Sequence, residues 1–416
     1  MLPARGRGGA PENGETGGEV GTGTEKEARG TWLHAAFHVA TTIATPAAYA
    51  PLPFAVASLG WPLASLWQWN GKKHTTYRQL AKSIFGHWGY WYVTFFQQMA
   101  SVGNNIAIQI AAGSSLKAVY KHYHTAENGT MTLQQFILLF GAFELFLSQL
   151  PDIHSLRWVN AMCTVSTIGF AGASIGLTIY DGYYNERKEV DYSLRGSTAM
   201  KIFRAFNALG TIAFSFGDAM LPEIQSTVRE PVRANMYKGV SAAYTIIVMS
   251  YWTLACSGYW AFGSEVQPYI LSSLTAPRWV LVMANLFAVI QIAGQPFHTL
   301  KNVKVKNMSS KSWMWRLMYT STYMAIVTLV SAAMPFFGDF VSICGAVGFT
   351  PLDFVLPVLA FLKAKKTPEN PGLQSAVKVL CSVVAIFFSI IGALACIGAI
   401  RFIVLDIKTY MFFHDM

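Results

Sequence analysis

Residues 207–225 read NALGTIAFSFGDAMLPEIQ, an apolar stretch close to membrane-span length that is interrupted where a helix can least tolerate it. Gly210, Gly217 and Pro222 weaken a helix there, while Ser215, Asp218 and Glu223 put polar groups inside it. A charged carboxylate at mid-membrane costs about 3 kcal/mol or more, so it faces a cavity or a partner. Asp218 is the candidate for carrying a coupling proton, because burial raises a carboxylate's affinity for protons. The competing reading places Asp218 and Glu223 near the cytoplasmic end, capped or paired with Arg229.

Working outward, this stretch is one of about ten apolar runs of spanning length. They fall at 32–60, 89–119, 132–150, 158–180, 204–225, 239–262, 277–297, 316–336, 340–363 and 376–402. The composition agrees: of 416 residues, 53% are hydrophobic, 14% aromatic and only 12% charged. Soluble domains carry roughly 25% charged residues, so the chain is expected to be an all-α polytopic membrane protein. A transmembrane β-barrel would need shorter segments that alternate polar with apolar, which these do not. Residues 1–30 are expected to form a disordered tail, 31–403 the transmembrane domain and 404–416 a short C-terminal tail. The first thirty residues lack the apolar core of a cleavable signal.

The net charge of +10 does not point to nucleic acid, because Lys and Arg are scattered over short loops. They cluster at Lys72, Lys73, Arg78 and Lys82, at Arg229, Arg233 and Lys238, at Lys301, Lys304, Lys306 and Lys311, and at Lys363, Lys365 and Lys366. An even number of spans separates each cluster from the next, so all share one face, which is cytoplasmic by the positive-inside rule. The loop near 120–131 then lies outside and carries the glycosylation sequon at Asn128; the sequon at Asn307 lies inside. One feature conflicts. Lys26 and Arg29 favour a cytoplasmic N-terminus, yet a single span at 32–60 would put that terminus outside. About twenty further apolar residues between Trp61 and Trp69 would mend the count.

Polar residues inside the spans supply the remaining candidates. Thr41, Thr42, Thr45, Pro46, Pro51 and Pro53 break the first span, either as a packed kink or as an unwound substrate site. Gln97, Gln98, Asn104, Asn105 and Gln109 suit hydrogen bonding between helices, and Asn104, next to Gly103, also suits a substrate path. Glu144 is either a packed carboxyl or part of a proton relay. His34 and His38 fit an interfacial position better than a metal site, and no metal or cofactor is expected. Cys163, Cys256, Cys344, Cys381 and Cys396 have no paired spacing and read as small apolar residues. Hydrolase, zinc-protease and nucleotide-binding motifs are absent, so no enzyme is expected, and any transport must draw on an ion gradient or be passive.

Leu52-Pro53-Phe54-Ala55 with Ser58-Leu59-Gly60-Trp61, and Phe214-Ser215-Phe216-Gly217 leading to Pro222-Glu223-Ile224-Gln225, resemble signatures of the amino acid/auxin permease family. GKKHTTYRQLAKSIFG, AFGSEVQPYI and FFGDFVSICGAVGFTPLDFVLP extend the resemblance from about residue 30 to the C-terminus. It implies a LeuT-type fold of two inverted five-helix repeats, with the family's first and sixth helices broken around a central site. It also implies proton-coupled import of 4-aminobutyrate, proline or another neutral amino acid across the cell membrane, an endomembrane being the alternative address. Thr45, Pro46, Ala47, Tyr49, Asn104, Ser215, Phe216 and Gly217 would bind substrate, with Asp218 coupling the proton. Two departures stand out. The family's second span is missing after Trp61-Pro62-Leu63, and the stretch at 291–305 is short. They keep open a non-transporting sensor or a splice-type regulatory variant; a passive channel fits the paired broken helices less well.

Overall fold

The computed structural model describes residues 76–124, 131–148, 156–184, 190–193, 196–217, 228, 231–275, 277–294, 310–363 and 371–409, with the pairs 68–69 and 72–73. The first expected span at 32–60, with Thr45, Pro46, Ala47 and Tyr49, lies outside these residues, as do His34, His38, Asn128, Asp218 and Glu223.

Two short strands, β1 (Gln68–Trp69) and β2 (Lys72–Lys73), pair antiparallel. Asn70-Gly71 joins them, a pair that favours two-residue hairpins. Helix α1 (Tyr77–Phe85) follows, capped by Thr76, whose hydroxyl accepts from the Gln79 amide at 3.4 Å. Gly86, at φ 76°, turns the chain directly into α2 (His87–Tyr123). Then come α3 (Leu133–Ser148), α4 (Leu156–Tyr184), α5 (Thr198–Phe216), α6 (Val232–Phe262), α7 (Arg278–Ala293) and α8 (Ser310–Ala333). The next span runs unbroken through α9 (Phe337–Ile343), a π-helical stretch Cys344–Val355 and α10 (Leu356–Lys363), and α11 (Pro371–Thr409) closes the chain.

Every expected span after the first therefore has a helix. By length and apolar composition, four among the described residues qualify outright as spans: Met162–Tyr184, Ala234–Glu265, Phe337–Lys363 and Gln374–Lys408. Leu133–Leu147, Arg278–Ala293 and Leu317–Ala333 are apolar but shorter. Helix α2 is long enough, at about 55 Å, but carries the amide cluster.

Side-chain exposure inverts the soluble pattern. On α11, Val383, Ile386, Phe387, Ile390, Ile397 and Ile400 face outward while Ala385, Ala395 and Ala399 are buried. Large apolar groups toward lipid and small ones toward neighbours let helices approach closely without a hydrophobic drive between them.

The ends of the bundle sort as the charge count requires. At one end Tyr77 donates to the Leu352 carbonyl at 2.7 Å, and Lys363 lies 4.9 Å from the centre of the Phe85 ring. The two basic clusters thus share a face. Burial, aided by the nearby Asp353 charge, pushes the Tyr77 phenol well above its usual range. At the other end the Ser264 amide donates to the Asp191 carbonyl at 2.8 Å, and Tyr192 donates to the Trp260 carbonyl at 2.9 Å. The Tyr269 hydroxyl there meets Ser115 at 2.8 Å.

Candidate functional site

Helix α5 begins under a Ser197 cap and stops at Phe216. Gly217 leaves it in an extended conformation, φ −75° and ψ 133°, with its amide drawn back to the Phe214 carbonyl at 3.2 Å. The helix thus ends at the glycine read as its breaker, inside an apolar stretch. The side chains before it are committed to packing. Ser215 is buried and its hydroxyl donates to the Thr211 carbonyl at 2.8 Å, while the Phe216 ring lies 5.6 Å from that of Tyr251. What the end of α5 offers chemically is therefore main chain: the carbonyls of a last turn, at the negative end of the helix dipole.

The π-helical stretch is the wall that α5 and α2 share. Gly345 presses against the Gly210 carbonyl and the Phe214 amide of α5, and the Phe349 ring packs on Gly217 and, edge-on, on Phe214 at 5.5 Å. From the other side, Cys344 lies on Gly103 of α2 and points its thiol at the Ala100 carbonyl, 3.3 Å away. Asn104, half-buried, sits beside that contact. Asn104, Ser215, Phe216 and Gly217 thus gather on two sides of one widened helix. Local chemistry accommodates the wide register. Pro351 lacks an amide proton, and the Thr350 hydroxyl instead donates to Gly345, five residues back, at 2.8 Å. Sequence reasoning treated 340–363 as an ordinary span and missed Cys344, Gly345 and Thr350. Gly345, Gly348 and Pro351 inside one apolar run mark an irregular stretch without fixing its register.

Two polar clusters flank this wall. On α2, Ser101, Asn105 and Gln109 recur one turn apart, facing α3 and α8. Asn105 donates to the Tyr323 hydroxyl of α8 at 2.9 Å, and Gln109 donates to the Glu144 carboxyl of α3 at 2.7 Å. Of the five expected helix-joining amides, Asn105 and Gln109 are thus seen to bond across helices. Toward the outer end Asn207 of α5 donates to Asp339 of α9 at 3.5 Å, and Asp406 of α11 approaches the same carboxyl. Asp339 keeps one buried oxygen without a donor. Among the described residues no group of three or more His, Cys, Asp or Glu is placed to hold a metal, and the five cysteines are free.

A family model described as transmembrane amino acid transporter protein matches residues 62–402. Among curated relatives, GABA transporter 1 of Arabidopsis thaliana is 32% identical, the match covering 94% of each chain. Lysine histidine transporter-like 6 of the same plant is 30% identical over 95% of this chain and 96% of its own. Among solved structures, a Na+-coupled sialic acid symporter in its substrate-bound outward-open state matches at TM-score 0.45 and 10% identity, over 94% of this chain and 92% of its own. The inward-facing form of Mhp1 matches at 0.43 and 12%, over 92% of each. The alignment to GABA transporter 1 runs to 432 positions, more than the 416 residues here, so that relative carries residues with no counterpart in this chain.

Proposed function

This chain belongs to the family of transmembrane amino acid transporter proteins, and from that premise we propose that it is a proton-coupled importer of amino acids across the cell membrane. The observation that carries the proposal is the end of α5 at Phe216, inside an apolar span. In lipid, freed backbone groups persist only where protein or a water-filled cavity satisfies them, which makes such a break a substrate site. Carbonyls at the C-terminal end of α5 suit a substrate ammonium. Unwound backbone at Thr45, Pro46, Ala47 and Tyr49 would receive the carboxylate, with Asn104, Ser215, Phe216 and Gly217 completing the site and Asp218 taking the coupling proton. GABA transporter 1 is named for 4-aminobutyrate and its companion for lysine and histidine. 4-Aminobutyrate and proline are the first substrates to test.

A second reading is favoured by one observation. The surplus of positions in the alignment leaves room for the span missing after Leu63, and a chain without it is a regulatory variant that does not transport. Uptake of labelled 4-aminobutyrate and proline into transporter-deficient yeast, at acid and neutral pH, separates the two. The chain is tested as it stands and with an apolar helix of about twenty residues restored after Leu63. Acid-stimulated uptake by the chain as it stands supports the importer. Uptake by the restored chain alone supports the variant. Surface expression without uptake in either form overturns both substrates.

A further inference from the structure

The contact between α2 and α3 carries a chemical contradiction unless a proton is added. Glu144 is 3% exposed and Gln109 0%. The Gln109 amide nitrogen donates to one Glu144 oxygen at 2.7 Å. That bond uses the donor half of the amide. Its acceptor half, Oε1, is buried and meets no donor among the described residues. An ionised carboxylate offers acceptors only, so it cannot answer that oxygen; a neutral carboxylic acid carries an O–H that can. Charge argues the same way, because an anion in the bilayer interior is costly unless a water-filled cavity, a cation or a metal answers it.

The described surroundings provide neither a contacting cation nor a metal site. The elements packed on α3 are α2 and α8. Helix α2 presents Gln109, with Asn105 and Ser101 on successive turns, and the buried Lys117 two turns beyond Gln109 in the other direction, about 12 Å along the axis. Helix α8 presents Tyr323, which binds Asn105 and Ser101, with Tyr319 one turn away. A phenol O–H supplies a hydrogen bond and no positive charge. Among the described residues, no Lys, Arg or His side chain contacts Glu144.

We propose that Glu144 is held as a neutral carboxylic acid, bound to Gln109, and is a group that takes up and releases the transported proton. Loading forms one O–H bond on the carboxyl and release breaks it, with no other reactant. The polar line from Gln109 through Asn105 and Tyr323 to Ser101 runs along α2 toward the end that carries the cytoplasmic loop, and is the release route. The protonation stands on the contact itself; the transport role rests on the import reading above.

Infrared difference spectra of the full chain in lipid nanodiscs, wild type minus Glu144→Gln, test the protonation without transport. A carboxylic-acid C=O band at neutral pH, shifted in heavy water and absent from E144Q, is expected. No such band overturns the proposal. Gln109→Leu is the second variant, and it should move the band to higher frequency by removing the amide donor; an unmoved band overturns the pairing. Uptake of 4-aminobutyrate at acid and neutral pH tests the transport role. E144Q should lose acid stimulation, its acid-to-neutral ratio falling to about one. Glu144→Asp should keep the stimulation with a shifted midpoint. Wild-type acid stimulation in E144Q overturns the role. If no form transports, the import reading fails by itself, and the infrared band still decides the protonation.

Discussion

Replacing Gly345 by Ala tests whether the π-helical wall truly lies backbone to backbone on α5. A Cβ at that position would land on the Gly210 carbonyl oxygen and 2.6 Å from the Phe214 amide nitrogen. Ordinary Cβ contacts lie at 3.4–4 Å, and neither neighbour is a side chain that can swing away. The two helices would have to part by about 1 Å, which also loosens the Phe349 packing on Gly217; overpacking of this kind costs about 3 kcal/mol. That is on the order of a hundredfold in the folding equilibrium, and an apparent Tm lower by about 5 °C. Gly172→Ala and Gly176→Ala are the controls, since nothing lies within 4 Å of a Cβ at either. Both should be neutral or slightly stabilising, because Ala favours a helix by about 1 kcal/mol over Gly. Thermal unfolding of the detergent-purified proteins, followed by size-exclusion chromatography, reads all three. A G345A protein that melts with the controls would refute the close packing, and with it the assignment of this stretch as the wall of the site.

Tyr77→Phe should lower stability by about 1 kcal/mol through loss of the bond to the Leu352 carbonyl, seen as a small drop in melting temperature. Tyr323→Phe removes the acceptor of Asn105 between α2 and α8 and should cost about 0.6–2 kcal/mol in the same assay, a membrane-helix value. Asn128→Gln should abolish a glycan-dependent gel shift in a eukaryotic host while Asn307→Gln leaves it unchanged; the reverse would invert the topology. Gly217→Ala should reduce uptake at unchanged surface expression, because its Cβ meets the Phe349 ring at the helix break.

What was legible in the sequence was what depends on apolar length and on local breakers. The spans from 89 to 402 could be read because bilayer thickness fixes helix length. The facing of the basic clusters was readable by counting, and the contact of Lys363 with Phe85 shows two of them on one face. The end of α5 at Gly217 was readable because a glycine among apolar residues weakens a helix locally.

The π-helical stretch was not, and the reason is physical. Widening a helix by one residue per turn leaves composition and length unchanged, so the apolar pattern of 340–363 looks the same in either register. Pro351 says only that one amide is missing; whether the chain kinks, breaks or widens depends on what it leans against. Here it leans on Gly210 and Gly103, more than a hundred residues away in sequence, and their lack of side chains lets a wider helix fit between α2 and α5. The same reasoning explains Glu144. From the sequence it was one carboxyl in an apolar run, a packed group first and a relay only as the alternative. Its meaning came from Gln109, thirty-five residues earlier and on another helix, whose unanswered oxygen converts a buried acid into a question about a proton. Breaks are written locally in this chain, whereas the groups that give them a use are written on the helices they face.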